Sequence, residues 1–240
     1  MYIYAEQEFA GGILLTRTLV PHQIQPCIDG KKTMMKVAKD QMAPVPRWLR
    51  NYYESNNKGY HSLAYITSPQ VVWWATVFFG ILFLSLLAQV RLYTPWSPVP
   101  ITGQSFGVLM IGLLYGRKLA GVSVGTYLIL GFTGAPVFAG TMASFSFGPS
   151  TGYLLGMLLS SQIVGGLADS GWTKSFFKCY GAALISSAVI LTCGVLFLSL
   201  TLPLSQAFAV GALPFLAGDL IKSLTACALI SSLEKKDTHC

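Results

Sequence analysis

Two long runs of apolar residues place the strongest constraint on how this chain can fold. The runs cover residues 71–90 and 179–200, and neither contains an Asp, Glu, Lys or Arg. A helix rises 1.5 Å per residue, so about 20 apolar residues are needed to cross the hydrocarbon core of a bilayer. Each run is long enough, and the sequence therefore predicts an integral membrane protein.

The amount and placement of charge support this prediction. Only 10% of the 240 residues are charged, against about 25% in soluble domains. Eight of the 16 Lys and Arg residues precede residue 60. The net charge of +7 could suggest a nucleic-acid partner, but its placement is more typical of the positive-inside bias of membrane proteins. We expect a bilayer partner and no nucleic acid.

Composition divides the chain into three parts. Residues 1–69 contain many polar residues and several prolines, and we expect a poorly ordered cytoplasmic tail. Residues 70–234 form the predicted membrane domain, and residues 235–240 a short C-terminal tail. The first residues are not a convincing secretory signal, because Glu6 and Glu8 stand where a basic region is expected. An alternative is that translation starts later, at Met34, Met35 or Met42.

The apolar pattern predicts six membrane-spanning helices. Besides the two long runs, a third covers residues 207–233 and is interrupted only by Asp219 and Lys222. Three shorter apolar segments lie between the first two runs, at residues 104–116, 119–133 and 150–168. The first two of these are short, so one kinked span or a re-entrant hairpin is the alternative.

Charge favours six spans with both termini in the cytoplasm. The inner loops and ends then share the basic residues Arg117, Lys118, Lys174, Lys178, Lys235 and Lys236. The outer loops, near residues 91–103, 134–149 and 201–206, hold only Arg91. Five spans would place the later basic residues on alternate sides. The predicted fold class is an all-α bundle that crosses the cell membrane several times.

Glycines recur at four-residue spacing along the predicted spans. The pairs and the triplet are Gly103/Gly107, Gly112/Gly116, Gly121/Gly125 and Gly148/Gly152/Gly156. In lipid this spacing lets helix backbones approach closely. We interpret it as packing within one bundle, with docking to a partner membrane protein as the alternative.

Asp219 and Lys222 are the strongest candidates for a functional site. A charge at membrane depth costs several kcal/mol unless it is paired or hydrated, and is a functional candidate by default. These two side chains are three residues apart and lie on one face of one helix. They supply an acceptor and a donor side by side, which favours recognition of a small polar ligand over packing alone.

The outer loops supply further candidate ligand-binding residues. The proline-rich run 97–102 predicts an ordered lid, or alternatively a rigid connector. Glycine allows a backbone to approach a ligand closely, and aromatic rings offer either a ligand contact or an interfacial anchor. Gln104 stands at the mouth of the second span, where its amide would serve the ligand or cap a helix. The candidates are Trp96, Gln104, Gly140, Gly152 and Tyr153.

Several kinds of chemistry have no sequence motif here. The chain contains no G-x-x-x-x-G-K-[ST] sequence for ATP binding and no H-E-x-x-H sequence for metal-dependent hydrolysis. Its five cysteines form no C-x-x-C pair. We expect neither a cofactor nor a metal, and no enzymatic activity.

Four motifs in order along the chain resemble those of the BioY family. Residues 97–104 read S-P-V-P-I-T-G-Q, and residues 134–140 read G-A-P-V-F-A-G. Residues 148–156 read G-P-S-T-G-Y-L-L-G, where the family has G-P-T-G-G-Y-L-x-G. Residues 213–222 read L-P-F-L-A-G-D-L-I-K, where the family often has Pro at the position of Ala217. The resemblance also implies a stripe of small residues with A-x-x-x-A spacing on the first helix, where a partner protein would dock. The first predicted span of this chain matches that pattern poorly.

The resemblance implies a six-helix substrate-capture subunit of an energy-coupling factor transporter. Such subunits bind biotin from outside and are driven by a transmembrane partner and a pair of cytoplasmic ATPases. The resemblance also implies that Asp219 and Lys222 contact biotin. The alternatives are a subunit for another vitamin, a membrane enzyme with Lys222 as base, and a passive channel.

The six-span arrangement predicts which loops are reached from outside the cell. Cysteines introduced at Ser144 and Pro203, in a variant whose five native cysteines are replaced by serine, should both react with a membrane-impermeant maleimide. A cysteine introduced at Lys174 should react only after the membrane is permeabilised. Labelling of intact cells followed by a mass shift measures this. Protection of both outer positions in folded protein would contradict the six-span model.

Overall fold

Helices account for most of the residues that the structure, a computed structural model, describes: 69–93, 95, 97–138 and 148–236. The helices are α1 (Pro69–Gln89), α2 (Gln104–Tyr115), α3 (Arg117–Phe132), α4 (Thr151–Asp169), α5 (Phe176–Leu198), α6 (Leu204–Gly211) and α7 (Leu213–Lys236). A 3-10 turn, Trp172–Lys174, precedes α5. Two short antiparallel strands, β1 (Arg91–Leu92) and β2 (Ile101–Thr102), connect α1 to α2. The tail predicted at residues 1–69 lies outside the described residues except for Pro69.

The mainly helical fold predicted from the apolar pattern is confirmed. A helix covers each of the six apolar segments, but the last segment is divided between α6 and α7. Pro214 explains the division, because proline lacks the amide N–H that would continue the hydrogen-bond ladder and it disfavours helical geometry in the residue before it. The amide of Phe215 bonds the carbonyl of Ala212 at 3.0 Å and starts the new helix.

Four helical stretches of the described chain are long and apolar enough to cross a membrane. They are Gln70–Gln89, Thr151–Asp169, Phe176–Leu198 and Leu204–Leu233. The helices α2 and α3 have 12 and 16 residues, and would therefore reach only about 18 and 24 Å. The crossing of the bilayer by all six segments stays a prediction.

Large apolar side chains point outward from the helices. On α1, Trp74, Phe78 and Phe79 are each 62% exposed. On α5 and α7, Phe177 and Ile221 are similarly exposed. A soluble monomer rarely exposes apolar patches of this size, whereas lipid tails are a favourable environment for them. The outer surface is therefore that of a lipid-facing bundle.

Helix α4 packs against α2, α3 and α5, and glycines bring these helices close together. A Cβ atom added to Gly112 of α2 would lie 3.0 Å from the side chain of Val164 on α4. One added to Gly156 of α4 would lie 3.0 Å from the Cα atom of Ile190 on α5. These contacts support the interpretation of the glycine spacing as packing within one bundle.

One end of the bundle is held by a contact between the α2–α3 turn and the end of α4. Gly116 has a φ of +78°, which glycine adopts readily. The amide N–H of Arg117 donates to Oδ2 of Asp169 at 2.9 Å, so a carboxylate caps the start of α3. The 3-10 turn that contains Lys174 follows α4 at this same end and also contacts α7. Arg117 and Lys174, two of the basic residues predicted to be cytoplasmic, therefore lie at the same end of the bundle.

The close approach at Gly165 predicts a large effect of one added methyl group. In Gly165→Ala the new Cβ would lie 2.6 Å from Cα of Arg117, which is backbone and cannot rotate away. Overpacking of this kind costs about 1–3 kcal/mol, so the melting temperature in detergent should fall. Gly125→Ala is the matched control, because its Cβ would meet only a Leu158 methyl at 3.8 Å. Equal melting temperatures for the two variants would contradict this account.

Candidate functional site

A cavity of about 350 Å³ lies at the end of the bundle where α4 and α7 begin. The residues that line it come from the segment leading into β2, from α2, α3, α4, α5 and α7, and from the connection between α3 and α4. Its size falls within the range of about 300–1,000 Å³ typical of small-molecule sites. Most of the wall is apolar and aromatic, and includes Phe132, Phe138, Met157, Leu191 and Phe215.

The predicted pair of Asp219 and Lys222 lies in this wall. The Lys222 Nζ atom is 3.5 Å from Oδ1 of Asp219. The same ammonium group donates to the backbone carbonyl of Thr102 and to Oγ of Ser105, each at 2.9 Å. An ammonium group has three N–H donors, so these three partners use all of them. Lys222 therefore joins α7 to β2 and to the first turn of α2.

The carboxylate of Asp219 keeps acceptor capacity toward the cavity. Asp219 is 7% exposed, and Lys222 is its partner through Oδ1. No other hydrogen bond to this carboxylate exists within the described part of the chain. An ionised carboxylate can accept about four hydrogen bonds, so the site presents a buried acceptor to any ligand that carries N–H donors.

Gln104 and Tyr127 form a buried chain of hydrogen bonds beside this pair. Tyr127 gives its hydroxyl proton to the carbonyl of Val137 at 3.0 Å. Its oxygen is therefore free to accept from the Gln104 amide, at 2.5 Å. The Gln104 carbonyl accepts from the Thr102 hydroxyl at 3.0 Å. Gln104 lines the cavity but does not cap α2, and its polar atoms already hold the wall together.

Tyr153 and Gly152, both predicted as ligand contacts, have different positions. Tyr153 is 5% exposed, so it is no interfacial anchor. Its ring lines the cavity and lies 5.8 Å from the ring of Phe215, while its hydroxyl donates to the carbonyl of Gly211 at 2.6 Å. Gly152 is not among the lining residues. A Cβ there would lie 2.6 Å from the carbonyl oxygen of Cys193, so Gly152 serves the packing of α4 on α5.

The segment predicted as an ordered lid forms part of the cavity wall. Pro98, Val99 and Pro100 line the cavity, and Val99 is only 4% exposed. The Ser97 hydroxyl accepts from the amide of Val99 at 3.3 Å and stabilises the turn. The predicted contacts Trp96 and Gly140 lie outside the described residues.

Several lining residues were not found by sequence reasoning. Ser105 follows Gln104 but carries no pattern of its own, and its contact with Lys222 joins residues 117 positions apart. Thr151 begins α4 and is 3% exposed. Phe138 lies in the G-A-P-V-F-A-G motif, and its ring packs on those of Tyr127 and Phe132. Phe138 and Thr151 lie in quoted motifs that could have indicated them, whereas Ser105 had no such signal.

Comparisons with known proteins agree on one family. The BioY family model matches residues 61–238. A biotin transporter BioY from Thermotoga maritima is 32% identical over 163 residues, which cover 67% of this chain and 95% of that protein. One from Rhizobium etli is 33% identical over 166 residues, covering 62% of this chain and 87% of that protein.

A solved structure is also similar. It is the crystal structure of the S-component for biotin from an ECF-type ABC transporter. The TM-score is 0.63 at 28% sequence identity, and the match covers 71% of this chain and 95% of that chain.

The contacts of Lys222 predict how the pair contributes to stability. Lys222→Met keeps most of the side-chain volume but leaves the Asp219 carboxylate, the Thr102 carbonyl and the Ser105 hydroxyl without their donor. Breaking a buried pair costs roughly 3–5 kcal/mol, and the lower end applies because the Lys222 side chain is 21% exposed. The melting temperature in detergent should therefore fall clearly.

Two further variants complete this test. Lys178→Met removes an exposed lysine at the start of α5 and should melt close to the wild type. The double variant Asp219→Asn with Lys222→Met should recover part of the loss, because no buried charge remains unpaired. A double variant less stable than Lys222→Met would contradict the assignment.

Proposed function

Because this chain belongs to the BioY family, we propose that it binds biotin at the outer face of a membrane as the substrate-specific subunit of an energy-coupling factor transporter. The observation that carries the proposal is the Asp219 carboxylate, a buried acceptor in a mostly apolar cavity of about 350 Å³. Biotin has complementary chemistry, since it combines a bicyclic apolar body with a polar ureido group.

The ureido group is the end of biotin that suits the Asp219 pair. It is neutral and has two N–H donors and one carbonyl acceptor. An N–H group that donates to the Asp219 carboxylate forms a charge-assisted hydrogen bond. The carboxylate of biotin at this place would bring a second anion beside the single ammonium of Lys222, far from water. We therefore orient the ureido ring inward and the valerate tail outward.

Ser105 supplies a donor for the ureido carbonyl. Its oxygen accepts from Lys222 at 2.9 Å, which leaves its own O–H free to donate. Ser105 lines the cavity together with Asp219. The positive charge of Lys222 polarises this hydroxyl, so Lys222 acts on the ureido carbonyl through Ser105 while it keeps its contacts with Thr102 and Asp219.

The remaining wall suits the thioether ring of biotin. Phe132, Phe138 and Tyr153 contribute aromatic surface, and Met157 an adaptable thioether. Contacts between sulfur and aromatic rings are favourable by about 0.3–1.5 kcal/mol. Burial of this ring contributes affinity, while the few polar groups select the orientation.

Charge placement orients the cavity toward the outside. Tyr153 and Phe215, at the cavity, lie near the starts of α4 and α7. Arg117 lies at the opposite end of α4, beside Asp169. Basic ends face the cytoplasm, so we place the cavity on the outer side of a multi-pass protein of the cell membrane, with six spans and both termini inside.

Energy for uptake must come from partner proteins. The chain has no Walker A sequence, so it has no phosphate-binding loop of that type. We propose that it works with a transmembrane coupling subunit and ATP-binding-cassette ATPases. The enzyme alternative is less favoured, because a catalytic base needs a free lone pair and the three donors of Lys222 are engaged.

The proposed orientation predicts how Asp219→Asn changes binding. The variant keeps the shape of the side chain but removes the charge from the hydrogen bond, which is worth about 1.5–3 kcal/mol, or roughly 10–100-fold in affinity. Biotin and biotin amide should lose affinity alike, because the change acts on the ureido end. Isothermal titration calorimetry of the purified protein measures both.

A control variant and a contrary outcome define the test. Asp169→Asn removes a carboxylate charge at the other end of α4, keeps an oxygen that can cap α3, and should leave biotin affinity unchanged. If Asp219→Asn weakened biotin but spared the amide, Asp219 would face the tail and the orientation would be reversed. Wild-type protein that bound no biotin would remove the proposed function itself.

A further inference from the structure

The outer part of the cavity contains a polar group with no assigned task. Thr151 is the first residue of α4, is 3% exposed and lines the cavity. Its hydroxyl makes no hydrogen bond with any residue in the described ranges. The residue as a whole is buried, but its hydroxyl is not among the buried side-chain atoms without a partner in the described residues. A hydroxyl that faces the cavity with its hydrogen-bonding capacity unused is a position at which a polar ligand atom would be favourable.

Backbone donors of the same helix turn lie next to this hydroxyl. The amides of Gly152 and Tyr153 have no acceptor among residues 148–151, although the neighbouring amides do: that of Thr151 bonds Gly148 and that of Leu154 bonds Ser150. The first N–H groups of a helix lack intrahelical partners, and the positive end of the helix dipole favours anions there. Hydroxyl and backbone therefore offer donors of the kind that receive a carboxylate.

No cation in the described cavity wall competes for this role. Lys222 is the only Lys or Arg among the lining residues that the structure describes, and its donors are used by Asp219, Thr102 and Ser105. An anionic ligand group in this cavity therefore has to be received by neutral donors.

The distance along the helices also suits a ligand with two polar ends. Tyr153 of α4 lies beside Phe215 of α7 and bonds Gly211, so the two helices begin at the same end. At 1.5 Å per residue, Thr151 lies about 3 Å outward from Tyr153, and Asp219 about 6 Å inward from Phe215. The two groups are thus about 9 Å apart in depth, which is similar to the separation of the ureido and carboxylate groups in extended biotin.

We propose that Thr151 and the first turn of α4 form the subsite for the ligand carboxylate, an inference that rests on the proposed function. The Thr151 hydroxyl donates to the carboxylate, and the helix dipole adds favourable electrostatics. Asp219 and Thr151 thereby hold opposite ends of one molecule. Thr151 occupies the position at which the family motif has glycine, so this chain carries a tail contact that a glycine side chain does not provide.

The test compares three proteins and two ligands. Thr151→Val removes the hydroxyl with little change in volume, and Thr151→Ser keeps it. The ligands are biotin and an analogue in which a methyl group replaces the carboxylate. Calorimetry should show that Thr151→Val binds biotin about 10-fold or more weakly, that Thr151→Ser stays within about twofold, and that the methyl analogue binds wild type and Thr151→Val equally. Melting temperatures establish that each variant is folded.

Other outcomes overturn the inference. Wild-type affinity for biotin in Thr151→Val would show that the hydroxyl makes no ligand contact. An equal loss of both ligands in that variant would assign Thr151 to wall packing. Both results leave biotin binding by the wild type intact, so they are distinct from failure of the proposed function, in which the wild type itself binds no biotin.

Discussion

The ammonium group of Lys222 is the contact on which the geometry of the cavity depends. Its three donors reach a carboxylate on α7, a backbone carbonyl in β2 and a hydroxyl in the first turn of α2. Polar contacts are stronger in a low-dielectric interior, and the same environment makes each of them costly to leave unmade. One side chain therefore fixes the register of three chain segments around Asp219, the acceptor that a ligand would meet.

Helix positions and the charged pair could be predicted from local sequence. Apolar runs of about 20 residues indicate helices without any knowledge of their neighbours, and a spacing of three residues places Asp219 beside Lys222 on one face. The division between α6 and α7 also had a local signal in Pro214, although the sequence analysis treated residues 207–233 as one span.

The other contacts of the site depend on residues that are distant in sequence. Lys222 bonds Thr102 across 120 positions, and no spacing rule indicates a backbone carbonyl as its partner. Gly152 shows the opposite problem. Its lack of a side chain suits a ligand and a neighbouring helix equally well, and only the position of Cys193 on α5 identifies the neighbour. The sequence alone does not distinguish a glycine that admits a ligand from one that admits a neighbouring helix.

The hydrogen-bond chain from Thr102 through Gln104 and Tyr127 to Val137 has a consequence for how new ligand specificity could evolve. Each member is shared between two structural elements, so a substitution there disturbs the scaffold before it changes what is bound. Thr151, Met157 and Phe215 line the same cavity, and none of these three side chains makes a hydrogen bond to another element within the residues that the structure describes. Selection for a different small molecule would therefore act first at these three positions, and the polar chain would persist as the inherited framework.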